Sequence, residues 1–191
     1  MKWLAATALL LAGCASQDLS VERATGTVVL SLAAGRNTPF EAYDLRVARS
    51  DGRNVTAIPF IVRGLASDRP DFASGNESGL VAVLVLPAGD YEVKELSGYS
   101  GTVWWEHETT TTQEAPFRFT VRPGSEQYLG RFEAVTTGND RTALSMIVTD
   151  KAGDDVALAQ AKYAGLGNLA VSDLSGQQAN SEPAASALAT P

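Results

Sequence analysis

Through the middle of this chain, apolar and polar residues alternate with a period of two, in short runs broken by turn residues about every eight to twelve positions. Residues 25–32 form the first run. Residues 43–49 and 55–63 flank Asp51-Gly52, a dipeptide suited to the left-handed conformations of a type I′ hairpin turn. Pro59 has no N–H to give a ladder, so it marks an edge or a bulge. Residues 80–86 are apolar without a break, which predicts a central strand covered on both faces. Leu86-Pro87-Ala88-Gly89 suits a type I turn. After it Tyr91 and Val93 point to one side, and Glu92 and Lys94 to the other. Phe117, Phe119 and Val121 alternate with Arg118, Thr120 and Arg122 in a half-buried strand. Pro123-Gly124 predicts a type II turn with glycine at the positive-φ position. Residues 127–135 and 142–148 complete the set. The fold class expected is all-β, an antiparallel β-sandwich.

One helix is predicted over 154–163, where Val156, Ala159 and Tyr163 fall three and four apart. Asp154 and Asp155 sit at its start and Lys162 near its end, which suits the helix dipole. Gly165 is placed to end it. These aspartates, with Asp150 and Gly153, give a first impression of a calcium loop. The spacing lacks the full EF-hand pattern, and helix capping is the simpler reading. Past Gly167 the chain turns to Ala, Ser, Gln, Asn and Pro. Such a composition buries too little apolar surface to offset its ordering entropy, so disorder is expected from about Ser175 onward. The organisation expected is a folded domain over 25–166 and a low-complexity tail over 167–191. Two polar stretches, 67–78 and 98–115, the latter with four consecutive threonines at 109–112, read as long loops, either carrying recognition or simply tolerated insertions between strands.

The N-terminus has a different character. Lys2 precedes an almost wholly apolar run over 4–12, followed by Gly13 and Cys14, the one cysteine in the chain. That is the three-part form of a secretory signal, and the run is about half the ~20 residues needed to span a bilayer. Leu11-Ala12-Gly13-Cys14 resembles the lipobox of bacterial lipoproteins. The resemblance implies cleavage between Gly13 and Cys14, a diacylglyceryl thioether on the Cys14 sulfur, and an acyl chain on the new N-terminus. Residues 1–13 are then a signal peptide and 14–24 a lipidated tether. With Ala15 rather than aspartate after the cysteine, it also implies the outer membrane of a Gram-negative cell, facing the periplasm. Two or more acyl chains hold a protein firmly at roughly 0.8 kcal/mol per buried methylene.

Charge narrows the partners. Removing 13 of the 191 residues leaves 178, one domain's worth. Without Lys2 there are 14 basic against 22 acidic residues, a net charge of −8. Nucleic acid is disfavoured, because phosphate binding is driven by Lys and Arg displacing counterions. Adhesion to anionic headgroups is disfavoured for the same reason, which leaves the acyl chains as the membrane contact. Since Cys14 is the sole cysteine, the fold rests on packing without a disulfide.

A second resemblance covers roughly residues 25–150. The residues from Leu86 to Val93, then Pro116-Phe117-Arg118-Phe119-Thr120-Val121-Arg122-Pro123-Gly124-Ser125 and Tyr128-Leu129-Gly130, look like uncharacterised bacterial lipoprotein domains. Those domains are similar to prealbumin-like or carboxypeptidase-regulatory-like β-sandwiches. The resemblance implies a fold and a compartment, and carries no catalytic residue across.

Trp104-Trp105-Glu106-His107-Glu108 is the densest cluster of functional residue types, holding both tryptophans beyond the signal and the one histidine. In a strand Trp104, Glu106 and Glu108 share one face while Trp105 and His107 share the other. An exposed Trp105, with His107 beside it, would serve as a stacking surface for a sugar or an anchor for a protein; the plainer reading makes both tryptophans packing residues. A metal centre is not expected, because neighbouring residues of a strand diverge and catalytic zinc takes three protein ligands. No Gly-x-Ser-x-Gly elbow surrounds any serine. Asn54-Val55-Thr56 and Asn76-Glu77-Ser78 match glycosylation acceptors by chance.

The function expected is therefore non-catalytic, a lipid-anchored envelope protein that binds or assembles. It needs no cofactor beyond the covalent lipid on Cys14. Its partners would be the membrane through that lipid, and envelope proteins or glycan. A carbohydrate or peptidoglycan-binding module is one alternative. An envelope enzyme working through Glu106, His107 and Glu108 is the other, since paired carboxylates act as acid and base when their surroundings separate their pKa values.

Overall fold

The structure, a computed structural model, describes residues 24–52, 56–62, 69–100, 107–137, 143–172 and 174–178. The strands are β1 (Thr25–Gly35), β2 (Ala42–Arg49), β3 (Thr56–Ile61), β4 (Phe72–Ser74), β5 (Glu77–Pro87), β6 (Gly89–Ser100), β7 (His107–Val121), β8 (Glu126–Thr137) and β9 (Ala143–Thr149). Then come helix α1 (Ala152–Lys162), a two-residue strand β10 (Ala170–Val171) and a one-turn helix α2 (Ser175–Gln178). They form two sheets. One has six strands in the order β10-β8-β1-β5-β4, with β9 also on β8; the other has four, β3-β2-β6-β7. The all-β sandwich expected from the alternation is the observed architecture.

The period of two places the core as predicted. Tyr91, Val93, Phe117, Phe119 and Val121 are buried between the sheets, while Lys94, Arg118, Thr120 and Arg122 are exposed. Gly124 has φ 66°, and the Ser125 N–H donates to the Arg122 carbonyl at 3.1 Å, closing the expected Pro123-Gly124 turn. Gly52 is left-handed too, with φ 77°; residues 53–55 of that link lie outside the described residues. Pro59 sits on β3, an edge strand, where its missing N–H costs no ladder bond.

Several expectations are corrected. The sheets are not wholly antiparallel, since β8 runs parallel to both β1 and β10. The 80–86 run is not central. β5 has β1 on one side, while on the other β4 reaches only Glu77, Ser78 and Gly79. Its unbroken apolar character has the cause expected, cover on both faces. Leu80, Ala82 and Leu84 face the sandwich core, and Val81 and Val83 face a second cluster under α1 with Val29, Tyr128 and Ala159. The 98–115 stretch is not a loop over its described part, because residues 95–100 pair with 107–112 in a β6–β7 ribbon. Much of 67–78 is likewise structured, as β4 and the start of β5.

The helix runs over Ala152–Lys162, and Asp155 does not cap it. A β-bulge explains what it does instead. Val29 pairs with Tyr128 and Ser31 with Arg131, so β8 carries one extra residue there, and Gly130 has φ 125°. The bulge turns both Tyr128 and Arg131 to the outer face, with Leu129 and Phe132 in the core. Asp155, 0% exposed, receives the Arg131 guanidinium and a 2.6 Å hydrogen bond from the Tyr128 hydroxyl. The Arg131 Nη1 donates to Glu77 at 3.0 Å, and its guanidinium lies 4.1 Å from the Phe72 ring centre. Burial works against the guanidinium's charge, yet Asp155 and Glu77 outweigh it and hold its pKa above the ordinary value.

The segment after Gly167 does not leave the domain at 167, nor is it without structure from Ser175. β10 pairs with Gln127 and Tyr128 of β8, Leu174 is 4% exposed in the main core, and α2 follows. Residues 179–191 lie outside the described residues. No helix among the described residues is long and apolar enough to cross a membrane.

Candidate binding face on the four-stranded sheet

α1 covers the outer face of the six-stranded sheet. The outer face of the four-stranded sheet carries a cross-strand lattice of side chains dictated by register. Tyr43, Leu45 and Val47 point inward, so Ala42, Asp44 and Arg46 point outward. On β6 a bulge at Lys94 shifts the parity, so Leu96 faces the core while Glu95, Ser97 and Tyr99 face out. Three rows result. Ile61, Ala42, Tyr99 and Glu108 make one; Pro59, Asp44, Ser97 and Thr110 the next; Ala57, Arg46, Glu95 and Thr112 the third.

Each row has its own chemistry. The third is closed by an ion pair between Arg46 and Glu95. In the second, the Ser97 and Thr110 hydroxyls share a 2.9 Å hydrogen bond. Between the first two rows lies a depression of 320 Å³ walled by Ala42, Tyr43, Asp44, Pro59, Ile61 and Tyr99. That is near the lower end of ligand-pocket size, enough for one ring or one side chain.

Tyr99 is the polar centre of this depression. Its hydroxyl lies 3.1 Å from Asp44 Oδ2 and 3.4 Å from Glu108 Oε1. Burial, then the Asp44 charge and hydrogen bond, then the Glu108 charge, push the phenol's pKa above its ordinary value, against a smaller opposing effect of Ser97. The phenol therefore stays protonated and donates. One proton serves one acceptor at a time, so two carboxylates around it keep spare lone pairs. Glu108 takes a further hydrogen bond from the Thr110 hydroxyl at 3.2 Å. The arrangement offers an apolar wall of Pro59 and Ile61 beside acceptor-rich carboxylates.

The residues singled out in the sequence stand as follows. Gly13, Cys14, Trp104, Trp105 and Glu106 lie outside the described residues. His107 opens β7 opposite Ser100, one residue from Glu108, and its side chain also lies outside them. In the β6–β7 register Ser100 stands opposite His107 and Tyr99 opposite Glu108. Sequence reasoning missed Asp44 and Tyr99. Asp44 was legible as the outward residue between Tyr43 and Leu45. Tyr99 was hidden, because the bulge at Lys94 reverses the parity that Tyr91 and Val93 set. Among the described residues no group of three or more His, Cys, Asp or Glu is placed to hold a metal.

A larger cleft, 470 Å³, runs between β7 and the β8–β10–α2 segment, with Arg118 and Arg122 on its wall. Its strand edge is already bonded within the chain. The Gln177 amide both accepts from the Arg118 N–H and donates to the Arg118 carbonyl, each at 2.8 Å, and Gln127 Nε2 donates to the Thr120 carbonyl at 3.0 Å. The depression at Tyr99 is therefore the stronger candidate.

No protein-family model matches the chain, and no curated protein matches it. Among solved structures, a leucine-rich repeat protein from Bacteroides thetaiotaomicron VPI-5482 is similar over 56% of this chain and 13% of that chain, at 20% identity and a TM-score of 0.31. A superposition of that quality carries no argument about fold or function.

Proposed function

We propose that this chain is a lipid-anchored cell-envelope protein with a non-catalytic binding or assembly role, acting through the outer face of its four-stranded sheet. The observation that carries the binding role is the Tyr99 phenol set between Asp44 and Glu108 beside the apolar Pro59 and Ile61. The anchor reading rests on Leu11-Ala12-Gly13-Cys14, with Cys14 as the lipidated residue and Gly13 as the last residue removed. The outer membrane, facing the periplasm, and the kinship with prealbumin-like lipoprotein domains belong to the same reading.

A glycan is the ligand class that this geometry suits best. A sugar presents an apolar C–H face to Pro59 and Ile61 and hydroxyl donors to Asp44 and Glu108, and carboxylate acceptors form the stronger class of hydrogen bond. Trp105 and His107 stay in this reading as the contact residues that the sequence singles out.

Two experiments separate the parts. Cys14→Ser should release the protein from carbonate-washed membranes; retention in the pellet would sink the anchor. Purified chain should be retained on cell-wall sacculi, with retention reduced about tenfold in Asp44→Ala, the loss of one charge-assisted hydrogen bond and its neighbours. Equal retention of the two proteins, with unchanged circular dichroism, would remove the glycan reading and leave a protein partner as the one to seek.

A further inference from the structure

The connection between β1 and β2, residues 36–41, is tied down at both ends. The Arg36 N–H donates to the Asn76 carbonyl at 2.6 Å, which joins it to the tight turn between β4 and β5, where Gly75 has φ 56°. The Glu41 N–H donates to the carbonyl of Tyr99 itself at 2.7 Å. Between these points the Thr38 and Tyr43 hydroxyls share a 2.6 Å hydrogen bond, and the Phe40 N–H donates to Thr38 Oγ1 at 3.3 Å. Thr38 is 5% exposed, and the Phe40 ring packs edge-on against Tyr43. Bonds along its whole length hold the connection in one shape. It leads from the β4–β5 turn to the polar centre of the depression already described.

A second concavity lies at the other end of this connection. It measures 440 Å³ and is walled by Asn37, Thr38 and Asn76 on one side and by Thr136 of β8 on the other. It adjoins a hollow of 350 Å³, with which it shares Gly35, Asn76 and Ala134. Both volumes fall within the range of small-ligand sites. The described residues that line the larger cavity are all uncharged. In the smaller, Glu77 already receives Arg131 at 3.0 Å and Glu133 accepts from the Thr149 hydroxyl. A ligand there meets chiefly the Asn37 and Asn76 amides and the Thr136 hydroxyl. Each of these groups both donates and accepts, which matches the hydroxyl and amide substituents of a neutral sugar.

We propose that the Asn37–Asn76 cavity is a second subsite for the glycan bound at Tyr99, so that the chain recognises an oligosaccharide laid across the 36–41 connection. This rests on the glycan reading of the Tyr99 depression. Two observations carry it. The connection is bonded to Asn76 at one end and to Tyr99 at the other, and its five peptide units span at most about 18 Å, a distance that a short oligosaccharide covers. The Thr38–Tyr43 hydrogen bond then joins a wall of one site to a wall of the other, since Thr38 lines the cavity and Tyr43 lines the depression. The two subsites divide the work. Asp44 and Glu108 accept from hydroxyls at the first, while the second adds neutral amides that tolerate an N-acylated unit.

The test is calorimetric titration of the full chain in mild detergent with N-acetylglucosamine and with its linear tetramer. The tetramer should bind at least about tenfold tighter, because its second contact is made intramolecularly. In the double variant Asn37→Ala with Asn76→Ala, the tetramer should fall back to near the affinity of the single sugar, whose own affinity stays unchanged. Circular dichroism should not change, since both side chains are exposed. Thr136→Val, on the opposite wall, should act in the same direction. Asp44→Ala should weaken both ligands. Equal affinity for the two ligands, or a tetramer advantage that survives the double variant, would overturn the second subsite and leave the site at Tyr99 standing. Binding of neither ligand would overturn it as well, and retention on sacculi would then judge the Tyr99 site by itself.

Discussion

Arg131 of β8 and Asp155 of α1 meet as a two-pronged pair, Nη2 on Oδ1 and Nε on Oδ2, with the Tyr128 hydroxyl donating to the same Oδ2. This buried network is the polar attachment of the helix to the sheet. A buried pair contributes little over an apolar replacement, but removing one partner strands the other. Asp155→Ala should therefore lower the unfolding free energy by about 3–5 kcal/mol, read by urea denaturation. The joint replacement Arg131→Met with Asp155→Leu should recover most of that loss. A single-variant loss below about 1 kcal/mol would mean that the pair behaves as a solvated surface contact.

Stability should fall on the alkaline side. Burial first, then the Asp155 hydrogen bond and charge, raise the Tyr128 pKa well above its ordinary value, and Tyr99 is raised in the same direction. Their stabilising contribution is complete below the unfolded tyrosine pKa of about 10. It is lost as pH rises through the folded values, because the unfolded chain then holds fewer protons than the native one. Lys162 acts in the same sense: burial lowers its pKa, but Asp71 more than restores it. Urea midpoints should decline from about pH 10 upward, less steeply in Tyr128→Phe. A midpoint independent of pH between 9 and 11 would refute the assignment.

Gly130 has φ 125°, and a Cβ built on it would stand 2.7 Å from Val148 Cγ1. Gly130→Ala should cost about 1–3 kcal/mol from backbone strain, with more from the clash. Calorimetry should show the thermal midpoint falling by about 2–4 °C per kcal/mol for a chain of this size. An unchanged midpoint would mean that the bulge relaxes freely.

Leu174 contributes from beyond the last long element. Leu174→Ala should destabilise the domain by about 2–5 kcal/mol, as for a buried leucine elsewhere in a core. A change within about 0.5 kcal/mol, the range of ordinary surface substitutions, would show that the segment after Gly167 is not integral to the sandwich.

The glycan reading makes its own demand on Tyr99. Tyr99→Phe keeps the ring and removes the donor to Asp44 and Glu108. The fold should change by about 1 kcal/mol or less, the net worth of one hydrogen bond, while retention on sacculi changes severalfold. Equal retention would assign the phenol to structure alone.

Much of the strand pattern was legible because alternation reports a local quantity, the side of a sheet on which each residue sits. Tyr91, Val93, Phe117 and Phe119 needed only their own neighbours to be placed. The candidate site was less legible. The Trp105–His107 stretch stands out by composition, yet the described chemistry belongs to Asp44 and Tyr99, residues 55 apart along the chain. The tail misleads for a related reason. Leu174 is a single apolar residue in a polar context, and composition averages away one well-placed side chain.

Local physics thus determined the sheet-forming runs, the Pro123-Gly124 turn, the helix after Asp150 and the acidic balance, because each follows from near neighbours or from simple counts. Tertiary structure alone decided strand order, the parallel seating of β8 on β1, and how short a stretch of β5 is paired by β4. It also converted Asp155 from a helix-end charge into the anchor of a buried network, through one extra residue in β8. A bulge inverts the facing of every residue beyond it, and no local pattern announces where a distant strand will impose one.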